Sequence, residues 1–440
     1  MREYAYEIVV GTLEEKGHSD ELFHHFLREH REWSPQQKGF LKNLAYGTIE
    51  RCIELDAVLN QYASIKIRDM ERPVRTVLRM ALYEIRYMDQ VPEAASCNEA
   101  VELVKKKAGK RYAAFVNGIL RAIVRQEDTL EIRKEWIRLS LPKTLMEHLT
   151  AGYGIRTARK IGEAFLARRG ETTLHIRTDR ITVEDYQGRV EEAGFSCRPG
   201  RYHRDALIIE GVSDIRSFPG YQEGLFFVQD ESSMLPVLCA GIRQGDRVVD
   251  VCSAPGGKAM HALMELGDSG ELLARDISEA KVSHIRENME RMQFPNATIQ
   301  VWDATREDPA GRGKADVVLA DVPCSGIGII GRKPEIKYRA LSQAEKLVPL
   351  QRRICQASAG LLRPGGVMIY STCTINRAEN EENILWLEEN LGLVPESLDP
   401  YLPEVLRNRM TAQGMLQMLP GIQESDGFFI ARLRKRERAV

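Results

Sequence analysis

Apolar residues recur at helical spacing through the first part of the chain. Phe40-Leu41, Leu44-Ala45, Thr48-Ile49 and Cys52 follow this period, and so do Val74, Val77-Leu78, Ala81-Leu82 and Ile85. Pro73 suits a first helical turn, where its missing N–H costs nothing. Val91-Pro92 interrupts the pattern, and Asn98 to Lys107 resumes it. Strand-like alternation is missing from Glu3 to about Arg125, so this region is predicted to be all-helical.

The pattern changes from about Leu130 to Tyr221. Lys143 to Arg168 reads as helix, Thr173 to Arg177 alternates like a strand, and Ala206 to Ile209 is a second strand. Thr182-Val183-Glu184-Asp185 resembles a capping box that opens a helix ending near Gly194. From about Gly224 strands and helices alternate. Buried-strand runs are Arg247–Val251, Glu271–Ala274, Thr298–Val301, Asp316–Ala320 and Val367–Tyr370. Ser278 to Arg291 is helical. Ser342, with Glu345 three residues on, is expected to cap another helix that runs to Leu362 and stops at the turn Arg363-Pro364-Gly365-Gly366. Such alternation predicts a mainly parallel sheet with helices on both faces. The expected fold is therefore multidomain: an all-α domain over 1–128, a small α+β module over 129–222 and an α/β Rossmann-like domain over 223–440.

Ligands of open parallel sheets bind beyond the carboxyl ends of the strands. Asp250, Asp276, Asp303 and Asp321 all fall at such ends. The loop Cys252-Ser253-Ala254-Pro255-Gly256-Gly257-Lys258 joins the first strand to a helix. It makes a poor phosphate-binding P-loop, because Cys252 takes the first glycine's place and Ala259 the Ser/Thr place. Gly-x-Gly-x-x-Gly is also absent. The remaining reading is S-adenosylmethionine, with Asp276 accepting from ribose hydroxyls and Asp303 from the adenine amino group. A single aspartate is more often a cap or a surface charge; three in matching positions favour the cofactor.

Cys324 and Cys373 each follow a strand-like run, in Asp321-Val322-Pro323-Cys324-Ser325-Gly326 and Tyr370-Ser371-Thr372-Cys373-Thr374. C5 of cytosine is too poor a nucleophile to take a methyl group directly. A thiolate that adds to C6 makes C5 enamine-like, and a second acid/base group must then help remove the C5 proton. Two cysteines and an aspartate at neighbouring strand ends are the parts this chemistry needs, though the residues alone leave open which cysteine attacks. Cys52, Cys97, Cys197, Cys239 and Cys355 read as small buried hydrophobes. The nine histidines lack metal-ligand spacing, so no metal is expected. Lys258 and Lys337 are candidates to contact substrate or orient loops, with a surface salt bridge the alternative for Lys337.

Composition narrows the class. With 43% hydrophobic and 28% charged residues, the chain is ordinary for a soluble protein, and no apolar run is long enough for a transmembrane helix. The start, Met1-Arg2-Glu3-Tyr4, is unlike a signal peptide. Eight scattered cysteines fit a reduced, cytoplasmic compartment. The net charge of -1 is silent about nucleic acid, but Lys105-Lys106-Lys107, Lys110-Arg111 and Arg432 with Arg434, Lys435 and Arg436 form basic patches, which more often are solvated faces.

Taken together, the stretches Val249–Lys258, Asp321–Gly328 and Tyr370–Thr374 resemble RNA cytosine-5 methyltransferases of the Nol1/Nop2/Sun class. Asn376–Asn383 and the closing Asp426–Ala431 resemble the same family. Leu78–Ile85, Asn98–Leu103 and Phe115–Arg121 look like a NusB-type RNA-binding domain, and the combination is that of the RsmB (Fmu/Sun) small-subunit rRNA methyltransferases. The resemblance implies S-adenosylmethionine as cofactor, 16S rRNA as partner (cytosine 967 being the family target) and an RRM-like middle module; a monomer is the default expectation, and no membrane partner is expected. It implies that Cys373 is the nucleophile, that Cys324 assists product release, that Asp321 contacts the cytosine, and that Cys252–Lys258, Asp276, Asp303 and Asp321 line the cofactor site. His175-Ile176-Arg177 and Arg275 depart from the usual family pattern. A DNA cytosine-5 methyltransferase and a non-catalytic RNA-binding or assembly factor are the competing classes. The first lacks its target-recognition insert, and the second leaves the intact cysteines and aspartates unexplained.

Overall fold

A computed structural model of the chain describes residues 1–126, 132–167, 170–212, 214–294 and 296–437. The expected domain boundary at 128 and the expected helix end at Arg168 lie outside these residues. The chain forms two compact units, Met1–Ala167 with Ile330–Arg339, and Arg168–Ile329 with Ala340–Val440.

The described part of the first unit is helical. Helix Pro35–Glu50 opens on a full capping box, with the Ser34 hydroxyl accepting from Gln37 N–H and the Gln37 side chain accepting from Ser34 N–H. Its Leu41, Leu44, Ala45 and Ile49 are buried against Val74, Val77, Leu78 and Leu82 of helix Arg72–Tyr87 in one apolar core. Helices Glu93–Lys107 and Ala113–Arg125 complete that core. The single helix expected from Lys143 is two, Lys143–Tyr153 and Ile155–Leu166, parted at Gly154. Its φ of +77° leaves the right-handed helical region, while the apolar period runs on across the break.

The basic patch of this unit is largely ion-paired: Lys105 with Glu102, Lys106 with Glu3, Lys107 with Glu7 and Arg111 with Glu71. Lys337 is buried rather than on the surface. Its ammonium donates to the carbonyl of Glu50, and the Tyr338 hydroxyl donates to that of Ile49 at 2.7 Å. These are end-of-helix carbonyls that lack partners within the helix. Burial pushes Lys337 down to about 8.

The second unit holds two sheets. Strands β1 (Glu171–Ile176), β2 (Cys197–Pro199), β3 (Ala206–Glu210) and β4 (Phe226–Val228) form an antiparallel sheet in the order β2-β3-β1-β4. Helix Val183–Glu192 packs on it, burying Tyr186 and Val190 with Leu174, Ile176, Leu207 and Phe226. Only half a capping box forms here: Thr182 accepts from Asp185 N–H, while the Asp185 carboxylate takes the Thr182 hydroxyl instead of the cap amide. Cys197, on the edge strand β2, is partly exposed rather than a core residue.

The larger sheet contains β5 (Arg247–Asp250), β6 (Glu271–Asp276), β7 (Ala297–Val301), β8 (Ala315–Asp321), β9 (Leu362–Thr372), β10 (Leu393–Pro395), β11 (Met415–Met418) and β12 (Phe428–Lys435). The order is β10-β12-β9-β8-β5-β6-β7, with β11 also on β12. Strands β5 to β9 are parallel, β12 runs antiparallel to β9, and β10 and β11 each pair antiparallel with β12. From β5 the chain builds outward to β6 and β7, then returns to β8 on the other side. The switch point therefore lies between β5 and β8.

Two local readings change. Helix Ala340–Leu361 begins before Ser342, so Ser342 is not its cap. Arg363–Gly366, expected as a turn, is taken up as an irregularity in β9, whose pairing passes from Ala315↔Leu362 to Val317↔Val367. The C-terminal basic cluster is structural. Arg432 is buried against Glu396 and the carbonyls of Cys239 and Ala240, and Lys435 donates to the carbonyls of Ala359 and Leu362.

Candidate active site

Strand β5 ends at the buried Asp250, and the loop Cys252–Gly256 leads into helix Gly257–Leu266. Gly256 has φ +106°, open to glycine without strain. The loop is held against β6: Ser253 N–H donates to the Arg275 carbonyl at 2.8 Å, and Ala254 N–H to the Asp276 carboxylate at 3.0 Å. The other Asp276 oxygen accepts Ile277 N–H at 2.7 Å. The Ala254-Pro255 peptide is cis, and Asn288 donates to the Pro255 carbonyl at 2.9 Å.

Both carboxylate oxygens of Asp250 and the Ser253 hydroxyl are buried without a hydrogen-bond partner among the described residues. Burial pushes the Asp250 carboxyl up to about 7, partly offset by the Lys258 charge. Burial and then the Asp250 charge push the Cys252 thiol well above its usual range. An unpaired buried carboxylate, a free hydroxyl and a glycine-bearing helix N-terminus fit the ammonium and carboxylate of an amino-acid cofactor. Arg275 is taken up structurally: it donates to Asp308 at 2.6 Å and lies 4.6 Å over the Trp302 ring. Asp303 stands apart, its carboxylate accepting the hydroxyl and N–H of Thr305 at 2.7 and 3.0 Å.

On the other side of the switch point, Asp321 ends β8 opposite Ser371 of β9. One Asp321 oxygen accepts from the Lys258 ammonium at 2.7 Å, and the other from the Ser371 hydroxyl at 2.7 Å. Lys258 thus links the cofactor loop to Asp321. Beyond the same two strands, the Cys324 and Cys373 sulfurs lie 3.1 Å apart. Contact with Cys373, reinforced by burial, pushes the Cys324 thiol well above its usual range.

A buried polar network, not foreseen from sequence, fixes the two cysteine loops. The Glu379 carboxylate accepts Ser325 N–H at 2.8 Å, the Ser325 hydroxyl, and the side-chain amides of Gln351 and Asn376, each at 3.0 Å. Ser325 also meets the Thr374 hydroxyl at 2.8 Å, and Gln351 reaches the Pro323 carbonyl at 2.9 Å. Gly328 N–H donates to the Cys373 carbonyl at 3.1 Å. A Cβ on Gly328 would lie 2.1 Å from the Gly427 carbonyl oxygen, so only glycine fits. The available signal was the polar stretch Asn376–Asn383 directly after a buried strand.

A mainly parallel sheet with an antiparallel edge, a glycine loop at its switch point, and adjacent thiols define the class as an S-adenosylmethionine-dependent methyltransferase. The profile of the 16S rRNA methyltransferase RsmB/F family matches residues 238–434, and that of the NusB family matches residues 1–125. The chain is 32% identical to the probable ribosomal RNA small subunit methyltransferase B of Bacillus subtilis, over 99% of each chain. It is 30% identical to the ribosomal RNA small subunit methyltransferase B of Salmonella typhi, over 91% of each. Among solved structures, PH0851 superposes with a TM-score of 0.82 over 98% of each chain at 22% identity. NSun6 from Pyrococcus horikoshii with SFG gives 0.61 at 21% identity, over 67% of this chain and 98% of that one. The chain belongs to the ribosomal RNA small subunit methyltransferase B family, with a NusB-like N-terminal domain, and S-adenosylmethionine is its cofactor.

Proposed function

We propose that the protein methylates C5 of one cytosine of 16S rRNA, position 967, through a covalent bond from Cys373 to C6. The observation that carries this reading is the pair of thiols at 3.1 Å, beyond the strand ends that also bear Asp321. When bound, S-adenosylmethionine supplies an electrophilic methyl group on a sulfonium.

The residues of the chain divide the remaining work. Asp321, oriented by Lys258 and Ser371, accepts from the cytosine around N3 and N4. This holds the ring as the Cys373 thiolate attacks C6 and C5 becomes nucleophilic. Once C5 carries the methyl, its proton leaves with assistance from Cys324. The C6–sulfur bond then breaks and the C5–C6 double bond returns. The 3.1 Å contact supports this division, since it sets Cys324 beside the sulfur that attacks C6. Asp250 and Ser253 are read as partners of the methionine ammonium, and Asp276 as the acceptor of ribose hydroxyls. Asp303 is read as the contact of the adenine amino group, through the oxygen that Thr305 does not engage.

The helical domain, 1–128, and the middle module, 129–222, are assigned to RNA binding, and 223–440 to catalysis. The strand order β2-β3-β1-β4, with a helix between β1 and β2, supports an RRM-like reading of the module. Eight free cysteines support work in the reducing cytoplasm.

The test is methyl transfer from labelled S-adenosylmethionine to unmodified 16S rRNA with base mapping. Label on C5 of a single cytosine, lost in Cys373→Ala while cofactor binding persists, is expected. Label on another base, or full activity in that variant, refutes the reading.

A further inference from the structure

Three histidines far apart in sequence meet inside the second unit. His175 lies on β1, His203 in the connection from β2 to β3, and His261 on helix Gly257–Leu266. All three are buried, and one ring nitrogen from each lies within 4.8 Å of the others. The ring centroids are 4.3, 5.0 and 5.1 Å apart. Buried imidazole nitrogens normally find partners. Here Nε2 of His175 and both nitrogens of His261 have none among the described residues. We propose that His175, His203 and His261 bind one divalent transition-metal ion of the zinc type, which ties the four-stranded sheet to the helix behind the cofactor loop.

The tautomers support this. Gln229 donates its amide to the Ser233 carbonyl at 3.0 Å, so its oxygen faces His175 Nδ1 at 2.9 Å as an acceptor. His175 therefore carries its proton on Nδ1 and a lone pair on Nε2, the state in which a metal-bound imidazole is held by its outer partner. His261 Nε2 lies 3.7 Å from the Glu265 carboxylate, too far for a hydrogen bond, so neither nitrogen is committed to a proton by a partner among the described residues. His203 differs: its Nδ1 accepts Asp205 N–H at 3.2 Å, the one hydrogen bond that a bound ion would disturb. Three neutral imidazoles suit Zn(II), Co(II) or Ni(II), whereas Mg(II) and Ca(II) require oxygen ligands. The edge-to-face ring angles, 83° and 87° at His261, also describe a purely packed aromatic cluster, which is the competing account.

Co(II) titration of the untagged full chain separates the two. Cys324→Ala/Cys373→Ala serves as parent, so that the thiol pair cannot bind the ion. Saturable visible bands of four-coordinate Co(II) are expected at about one equivalent per chain, displaced by Zn(II), which also raises the melting temperature. His175→Gln and His203→Gln should abolish the bands, and Gln229→Leu should weaken binding about 10–100-fold. Circular dichroism and S-adenosylmethionine binding report whether each variant is folded. Absence of a saturable Co(II) signal in the parent overturns the proposal even if every variant fails to fold. So do bands that persist in both folded histidine variants.

Discussion

Replacing Glu379 with alanine tests whether the buried network holds the two cysteine loops. The carboxylate receives four donors from Ser325, Gln351 and Asn376. After truncation the Ser325 hydroxyl keeps Thr374, and Gln351 keeps the Pro323 carbonyl. Ser325 N–H and the Asn376 amide have no other acceptor among the described residues. An orphaned buried donor costs roughly 1–3 kcal/mol, so two of them put the loss at about 4 kcal/mol. Ser325 adjoins Cys324, and Thr374 adjoins Cys373, so the loss acts directly on the thiol pair. A displacement of about 1 Å can cost about 100-fold in rate. Urea unfolding should therefore report a large destabilisation. Under conditions where the variant is folded, kcat should fall about 100-fold, with S-adenosylmethionine affinity unchanged because the cofactor loop is not touched. Glu379→Gln should fall between the two, since its amide group opposes some of the same donors. If Glu379→Ala unfolds within about 1 kcal/mol of the parent and turns over at the parental rate, the network is not what positions the cysteines.

Other predictions concern the loop and its neighbours. Asp250 has a folded pKa of about 7, above the value of about 4 expected when unfolded. Ionising it in the absence of cofactor therefore removes stability as pH rises from about 4 to 7, and that cost is absent below the unfolded value. If the ionised carboxylate receives the methionine ammonium, the cofactor Kd should tighten about fivefold between about pH 6 and 7 and then level off, as the α-amino group begins to lose its own proton near pH 8. Calorimetry should find no such dependence in Asp250→Asn; an equal slope there refutes the role. Gly328→Ala drives a methyl group into the Gly427 and Cys373 carbonyls, at 2.1 and 2.8 Å. It should destabilise by about 3 kcal/mol and remove methyl transfer while cofactor binding survives, and normal transfer would show that the two loops yield easily.

Hydrophobic period made the helices of the first unit and the parallel strands legible, because burial of one face leaves its mark at fixed spacing. It failed where the chain breaks without losing that period, as at Gly154, where an edge strand buries little, as at β2, and where a strand is only three residues long, as at β4. Ser342 looked like a cap because its spacing to Glu345 is right, but the helix had already begun at Ala340. Local motifs marked the loop, Asp321, Cys324 and Cys373, and the structure brings Lys258 and Asp321 together and the two thiols together. One oxygen of Asp303 also closes its own turn with Thr305, which position along the chain did not foretell. Glu379 and the three buried histidines could not be read from spacing, because their partners come from distant strands and helices. Basic residues misled for the same reason: Arg432 and Lys435 cap carbonyls inside the fold.

The central claim is that Cys373 bonds to cytosine while Cys324 enables release. The most direct measurement uses Cys324→Ala with 16S rRNA and S-adenosylmethionine, analysed on a denaturing gel with peptide mapping of any shifted band. The account predicts a covalent protein–RNA complex that maps to Cys373 and is absent in Cys324→Ala/Cys373→Ala. No complex from Cys324→Ala, or a complex that survives loss of Cys373, would contradict it.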